Sequence, residues 1–240
     1  MCGRVVQASG PDLLGLSIVN SFEGRDRRGG NLPPRYNAAP SEELWAIRQH
    51  PSTGERTLDR LRWGLIPYWC AAKPKPAPIN AKAETVAKVP MFRDAYRKRR
   101  CILPIDAFFE WKAVLGTKVK QPYAIAMKDR SPFGLAGLWE NWKDPATGEW
   151  VRTFAVLTTP ANDLVRDIHD RMPVILRPED YERWLGPDPD PNDLLRPFPA
   201  ELMTMWPVSP RVNTPKNDDP DILTPVVDAD TTWPPDGNSA

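Results

Sequence analysis

The chain has 240 residues, enough for one large domain. Hydrophobic residues make up 41% and charged residues 26%, an ordinary balance for a globular protein with a sizeable core. No leader pattern and no apolar run long enough to span a bilayer is visible, which predicts an intracellular, cytoplasmic protein. The three cysteines form no C-x-x-C pair and there are only two histidines, so neither a zinc site nor a disulfide framework is expected. The net charge of +1 hides an asymmetry. Residues 1–120 hold 21 Lys+Arg against 11 Asp+Glu, and residues 121–240 hold 11 against 20. Such a split fits a basic face for a polyanion and, equally, two halves that pair in space.

In chain order, CGRVVQA predicts a strand and GPDLLGLSIV a short helix. EGRDRRGGNLPP is a loop. RYNAAP leads into the strand ELWAIRQ, and RTLDRLRWGLI is a second strand. The proline-rich YWCAAKPKPAPIN is irregular. AKAETVAKVPMFRDAYRKRR predicts a helix in two pieces, split at Pro90. CILPIDAFFEWKA, QPYAIAMK, FGLAGLWENW and VRTFAVLTT read as four strands, the last three as a meander. ANDLVRDIH is a helix, MPVIL a short strand, PEDYERWL a helix and MTMWPVS a last strand. The end, VVDADTTWPPDGNSA, is expected to be disordered. Strands and short helices that do not alternate as βαβ favour a mixed, mostly antiparallel α+β fold. There are 29 prolines, about 12% against a usual ~5%, which also favours short strands and fixed loops. No phosphate-binding glycine loop is present.

Four places join reactive groups to suitable punctuation: MCGR at 1–4, PINAKAET at 78–85, AFFEWK at 107–112 and IHDRMPVIL at 168–176. Cys2 follows the start methionine. With Met1 removed it would carry a thiol and an α-amine on neighbouring carbons. Asn80 precedes the expected helix and suits a cap or a ligand. Glu110 interrupts an apolar run, where burial raises a carboxyl pKa and suits acid–base work. His169 ends a helix, a favourable place for an imidazolium. Singly, each has a bland explanation of similar weight.

Together these segments, with RYNAAP, RWGLIPYW, PYAIAM, AGLWE and FAVLTTPAN between them, resemble the SOS-response-associated peptidase (SRAP) family. The resemblance runs from Cys2 to about Pro225. It implies a compact domain over residues 1–226, built round a distorted, mostly antiparallel β-barrel with short peripheral helices, followed by a tail over 227–240. It implies capture of abasic sites in single-stranded DNA, shielding of the lesion by a DNA–protein crosslink, and removal of Met1 by the chain itself or an aminopeptidase. Cys2, Asn80, Glu110 and His169 take the catalytic places. DNA contacts fall on Arg4, Pro40, Trp69, Lys82, Trp111 and Arg171, with Lys82 where many members have arginine. The aromatic pair of the family corresponds to Trp69 and Cys70, so one aromatic is missing. No metal, cofactor or membrane is implied. Two other classes fit the same residues: a cysteine peptidase or N-terminal-nucleophile amidohydrolase using Cys2, and a non-covalent single-strand-binding module that does not need Cys2.

Overall fold

The computed structural model describes residues 2–10, 14–15, 20–21, 33–50, 53–114, 116 and 118–226. Its elements run β1 (Val5–Gln7), β2 (Asn20–Ser21), β3 (Arg35–Ala38), β4 (Glu43–Gln49), β5 (Arg56–Trp63), β6 (Asn80–Lys82) and α1 (Pro90–Lys98). Then come β7 (Arg100–Ile105), β8 (Ala107–Ala113), β9 (Lys120–Met127), β10 (Phe133–Lys143), β11 (Trp150–Pro160) and α2 (Asp163–Arg166). The last are β12 (Arg171–Pro173), β13 (Ile175–Leu176), α3 (Tyr181–Leu185) and β14 (Met203–Pro207). Short 3-10 turns connect the C-terminal elements.

Five strands form one sheet in the order β14-β9-β8-β1-β3, all neighbours antiparallel. The second sheet has nine strands, with the path β12-β11-β10-β7-β4-β5-β2 and β6 and β13 attached at its side. Among the described residues only the pairings β2–β5, β5–β11 and β6–β11 are parallel. The expected α+β fold, a distorted and mostly antiparallel barrel with short helices, is the one observed.

The main core lies between the sheets. Val5, Phe108 and Ile125 from the five-stranded sheet meet Leu61, Leu103 and Phe154 from the nine-stranded one. A second core fills the other face of the nine-stranded sheet, where Ile47, Ile102 and Leu138 pack under Tyr96 of α1 and Trp184 of α3. A strand buried on both faces has no polar alternation, which is why FGLAGLWENW reads as one apolar run. Gly137 lets β10 sit close to β7: a Cβ there would lie 2.6 Å from Leu103 Cδ1 and 2.8 Å from Cys101 Sγ.

Three expectations are corrected. The first piece of the two-piece helix does not form. Asn80–Lys82 is instead a strand parallel to Val156–Thr158, and turns follow it up to Pro90. A sheet partner for these backbone groups outweighs the helix propensity of AKAET. CILPIDAFFEWKA is two strands in different sheets, β7 and β8. Asp106 marks the crossing, where its Oδ2 accepts from Ala8 N at 2.7 Å and Ser9 N at 3.0 Å. The meander is only half right. β10 and β11 pair as a hairpin, but β9 pairs with β8 and β14 in the other sheet. The helices expected at 161–169 and 178–185 form as short α2 and α3. Most of GPDLLGLSIV, and residues 227–240 of the tail, lie outside the described residues.

Candidate active site

Residue 2 is reached from both sheets. β1 pairs antiparallel with β8 through Val5–Phe108 and Val6–Ala107, and Phe109 N donates to the Arg4 carbonyl at 3.0 Å. Before Val5 the chain leaves the strand, and Cys2 turns into the main core, where its thiol and the chain terminus both feel the Glu110 carboxyl. From the other sheet, Asn80 at the start of β6 donates Nδ2 to the Cys2 carbonyl at 2.9 Å. Asn80 Oδ1 is buried with no hydrogen-bond partner among the described residues. Cys2 itself is 0% exposed and packs in the main core.

Burial governs the charges here. It pushes the Glu110 carboxyl above the usual carboxylate range, while the positive chain terminus, His169 and Lys120 draw it back. It also pushes the Cys2 thiol well above its ordinary value. The Glu110 charge adds to that rise, and the chain terminus and a backbone hydrogen bond with Arg4 oppose it. At neutral pH the sulfur is therefore a neutral thiol, not a thiolate.

His169 follows α2. Asn162 caps that helix, its Oδ1 accepting from Val165 N at 3.0 Å, and His169 N donates to the Val165 carbonyl at 2.9 Å. His169 Nδ1 lies 3.0 Å from Arg171 N and 2.9 Å from Asp170 Oδ1. One nitrogen cannot accept the first bond and donate the second together. The amide bond decides the neutral state, because Asp170 is 87% exposed and has water as an alternative. The ring proton of neutral His169 then sits on Nε2.

The expected DNA-contact residues are more dispersed. Arg4 Nη1 donates to Asn37 Oδ1 at 2.8 Å and the Val212 carbonyl at 2.5 Å, and its guanidinium lies 5.8 Å from the Trp111 ring. Burial lowers its pKa from the ordinary arginine value. Trp111 is half-buried and donates Nε1 to Asn213 Oδ1 at 2.7 Å. Arg171 grips both oxygens of Glu84 at 2.8 and 2.9 Å and donates to the Thr158 carbonyl at 2.6 Å. Lys82 is exposed two residues beyond Asn80 on β6. Pro40 is half-buried in the turn after β3.

Tyr68 was missed. It is 54% exposed beside Trp69 at 52%, so an adjacent aromatic pair is present one position earlier than expected. Cys70 is half-buried, and its carbonyl accepts from Trp142 Nε1 at 2.7 Å. The dipeptide YW was legible in the sequence, but which of its neighbours faces solvent was not. Asn37 and Glu84, which fasten the two arginines, carried no sequence signal. Among the described residues no group of three or more His, Cys, Asp or Glu side chains is placed to hold a metal.

The SOS response associated peptidase (SRAP) family matches residues 1–215. The chain belongs to the SRAP family. The Bacillus subtilis abasic site processing protein YoqW is 41% identical over 229 residues, covering 93% of this chain and 99% of that protein. The Escherichia coli abasic site processing protein YedK is 32% identical, covering 94% of this chain and all of its own. A crystal structure of a Bacteroides thetaiotaomicron protein superposes with a TM-score of 0.80 at 28% identity, over 94% of this chain and all of that one. Within this SRAP chain, the cluster of Cys2, Asn80 and Glu110, with His169 acting on it electrostatically, is the place where the four sequence motifs converge.

Proposed function

We propose that this protein captures abasic sites in single-stranded DNA by forming a covalent crosslink through Cys2, and so shields the lesion. The observation that carries the reading is the burial of Cys2 beside Glu110 with its carbonyl held by Asn80. The names of the relatives, abasic site processing proteins, agree with it. Removal of Met1 frees the amine of Cys2. An α-amine has a reference pKa of about 7.7–8.0, so a useful neutral fraction exists near pH 7. That amine attacks the C1′ aldehyde of the open sugar, and loss of one water gives an imine. The thiol then adds across C=N, sulfur to carbon and its proton to nitrogen, closing a five-membered thiazolidine. Closure is intramolecular and therefore efficient.

The residues divide the proton work. Glu110, with its raised pKa, takes a proton from the attacking amine and returns it to the departing hydroxyl. His169 assists ring opening of the sugar hemiacetal. Asn80 orients the terminus. Arg4, Pro40, Trp69, Tyr68, Lys82, Trp111 and Arg171 border the DNA path, with the exposed aromatics offering stacking surfaces. A protein acting this way works in the compartment that holds the DNA, on the nucleoid or chromatin. Among the described residues no helix is long and apolar enough to cross a membrane. A cysteine peptidase would need a depressed thiol pKa, whereas burial here acts in the opposite sense.

The test is intact-protein mass spectrometry of untagged chain before and after incubation with an oligonucleotide carrying one abasic site. Loss of Met1 followed by a gain of the oligonucleotide mass less one water is expected. Cys2→Ala is expected to lose the durable adduct, and Cys2→Ser to give an imine trapped only by borohydride. A durable adduct on Cys2→Ala would sink the thiazolidine, and turnover of a peptide without any adduct would shift the assignment to a hydrolase.

A further inference from the structure

A second site lies on the reverse side of the nine-stranded sheet. Along β7, Cys101 and Leu103 face the core that holds Cys2, whereas Ile102 faces the core beneath α1 and α3. On that second side, a cleft of about 470 Å³ opens between the end of β4, the last turn of α1 and the segment after α3. That volume falls in the range of small-molecule sites of about 300–1,000 Å³.

Its walls are unusual in charge. Arg97, Lys98 and Arg100 line the cleft, with His50 at its edge. No carboxylate among the described residues lines it. Arg97 and Lys98 are exposed, in the last turn of α1, and neither makes an ion pair among the described residues. Arg100 is buried, and its guanidinium is held by carbonyls, those of Trp184 at 2.5 Å, Gly186 at 2.6 Å and Tyr96 and Asp188 at 2.7 Å. Carbonyl dipoles fix this cation without cancelling its charge. The acids behind the cleft have partners of their own, although the Asp188 and Asp190 charges also act on Arg100. Asp188 binds Arg183 at 2.8 Å, Asp190 accepts from the Tyr96 hydroxyl at 2.8 Å, and Glu182 pairs with Arg56. Leu185 and Pro187 give the cleft one apolar wall.

We infer that this cleft binds a phosphate-bearing ligand of mononucleotide size, the phosphate against Arg97 and Lys98 and the base against Leu185 and Pro187. The placement is independent of Cys2 chemistry, because the whole nine-stranded sheet separates the two sites. Two sources share this chemistry, a free nucleotide and the 5′-phosphorylated end of a DNA strand.

The experiment titrates the full chain with 5′-deoxyadenylate and, separately, with inorganic phosphate, following amide and side-chain NMR shifts. The parent is expected to bind deoxyadenylate saturably and one to one, with inorganic phosphate weaker by about tenfold for want of the base contact. Arg97→Glu with Lys98→Glu is expected to weaken deoxyadenylate by at least about tenfold, as loss of charge-assisted bonds requires. Both side chains are exposed, and thermal melting checks that the variant is folded. A 5′-phosphorylated, undamaged oligonucleotide separates the sources. If it shifts the same resonances and loses them in the variant, the ligand is a strand end; if only deoxyadenylate does, it is a free nucleotide. Absence of saturable binding, equal affinity for inorganic phosphate, or binding unchanged in the variant would overturn the inference.

Discussion

Glu110 carries two opposed demands. Its side chain belongs to a residue only 3% exposed, and desolvation raises its pKa. A carboxyl whose folded pKa is raised contributes stability below its unfolded pKa, and that contribution is lost as pH rises through the folded value. Glu110→Gln removes this penalty at neutral pH. The variant is expected to melt about 2–4 °C higher at pH 7.5, which is about 1 kcal/mol for a chain of this size, with the gain vanishing toward pH 4. It is also expected to attach to abasic DNA more slowly while binding an unreactive abasic analogue as before. Parallel melting curves and single-turnover crosslinking measure both. Equal losses of rate and affinity would put Glu110 in binding instead. The sequence pointed to Glu110 because a charged residue interrupts AFFEW. It did not point to the orphaned Oδ1 of Asn80, because hydrogen-bond satisfaction is a property of the surroundings.

At the scale of elements, the pairing of β1 with β8 brings the start of the chain to the strand that carries Glu110, and Asp106 sits where that run passes from one sheet to the other. One apolar run must leave one sheet and enter the other, and the two amide bonds to Asp106 Oδ2 hold the corner. Asp106→Ala is expected to lower stability by about 1–3 kcal/mol, because it leaves those amides without their acceptor. In urea melts the midpoint should fall with an unchanged slope, and crosslinking should slow as β1 loosens. A midpoint equal to that of the parent would show that water replaces the carboxylate. The helix misread at 81–89 has the same origin as the strand misread at Asp106. Local propensity is read from neighbours in sequence, whereas the partners of Asn80–Lys82 are Val156–Thr158, more than 70 residues away.

For the whole molecule, the charge asymmetry between the halves resolves in part into internal pairing. Arg35 binds Asp218 at 2.6 Å, Arg99 binds Glu140 at 2.7 Å, and Arg56 pairs with Glu182. Each joins the basic half to the acidic half. Lys82 is among the cations that stay exposed near Asn80. Lys82→Ala is therefore expected to weaken binding of an abasic analogue strand and to lower the slope of log affinity against log salt by about 1. Fluorescence anisotropy at several salt concentrations reads that slope. An unchanged slope would remove Lys82 from the DNA path, and salt-independent binding by the parent would remove the phosphate groove altogether.

The sequence by itself determined the α+β class and the four motifs, because strand periodicity and motif spacing are local and survive in one dimension, and the family followed from the resemblance those motifs carry. It could not determine which strands share a sheet, which cations are already neutralised, or which aromatic stands exposed beside Trp69. Those depend on long-range pairing, on the partners that chain reversal brings within 3 Å, and on how deeply each group is withdrawn from water. Tertiary structure alone set the burial that keeps the Cys2 thiol neutral and raises the Glu110 carboxyl, and it alone left Arg97 and Lys98 facing a cleft with no acid in its wall among the described residues.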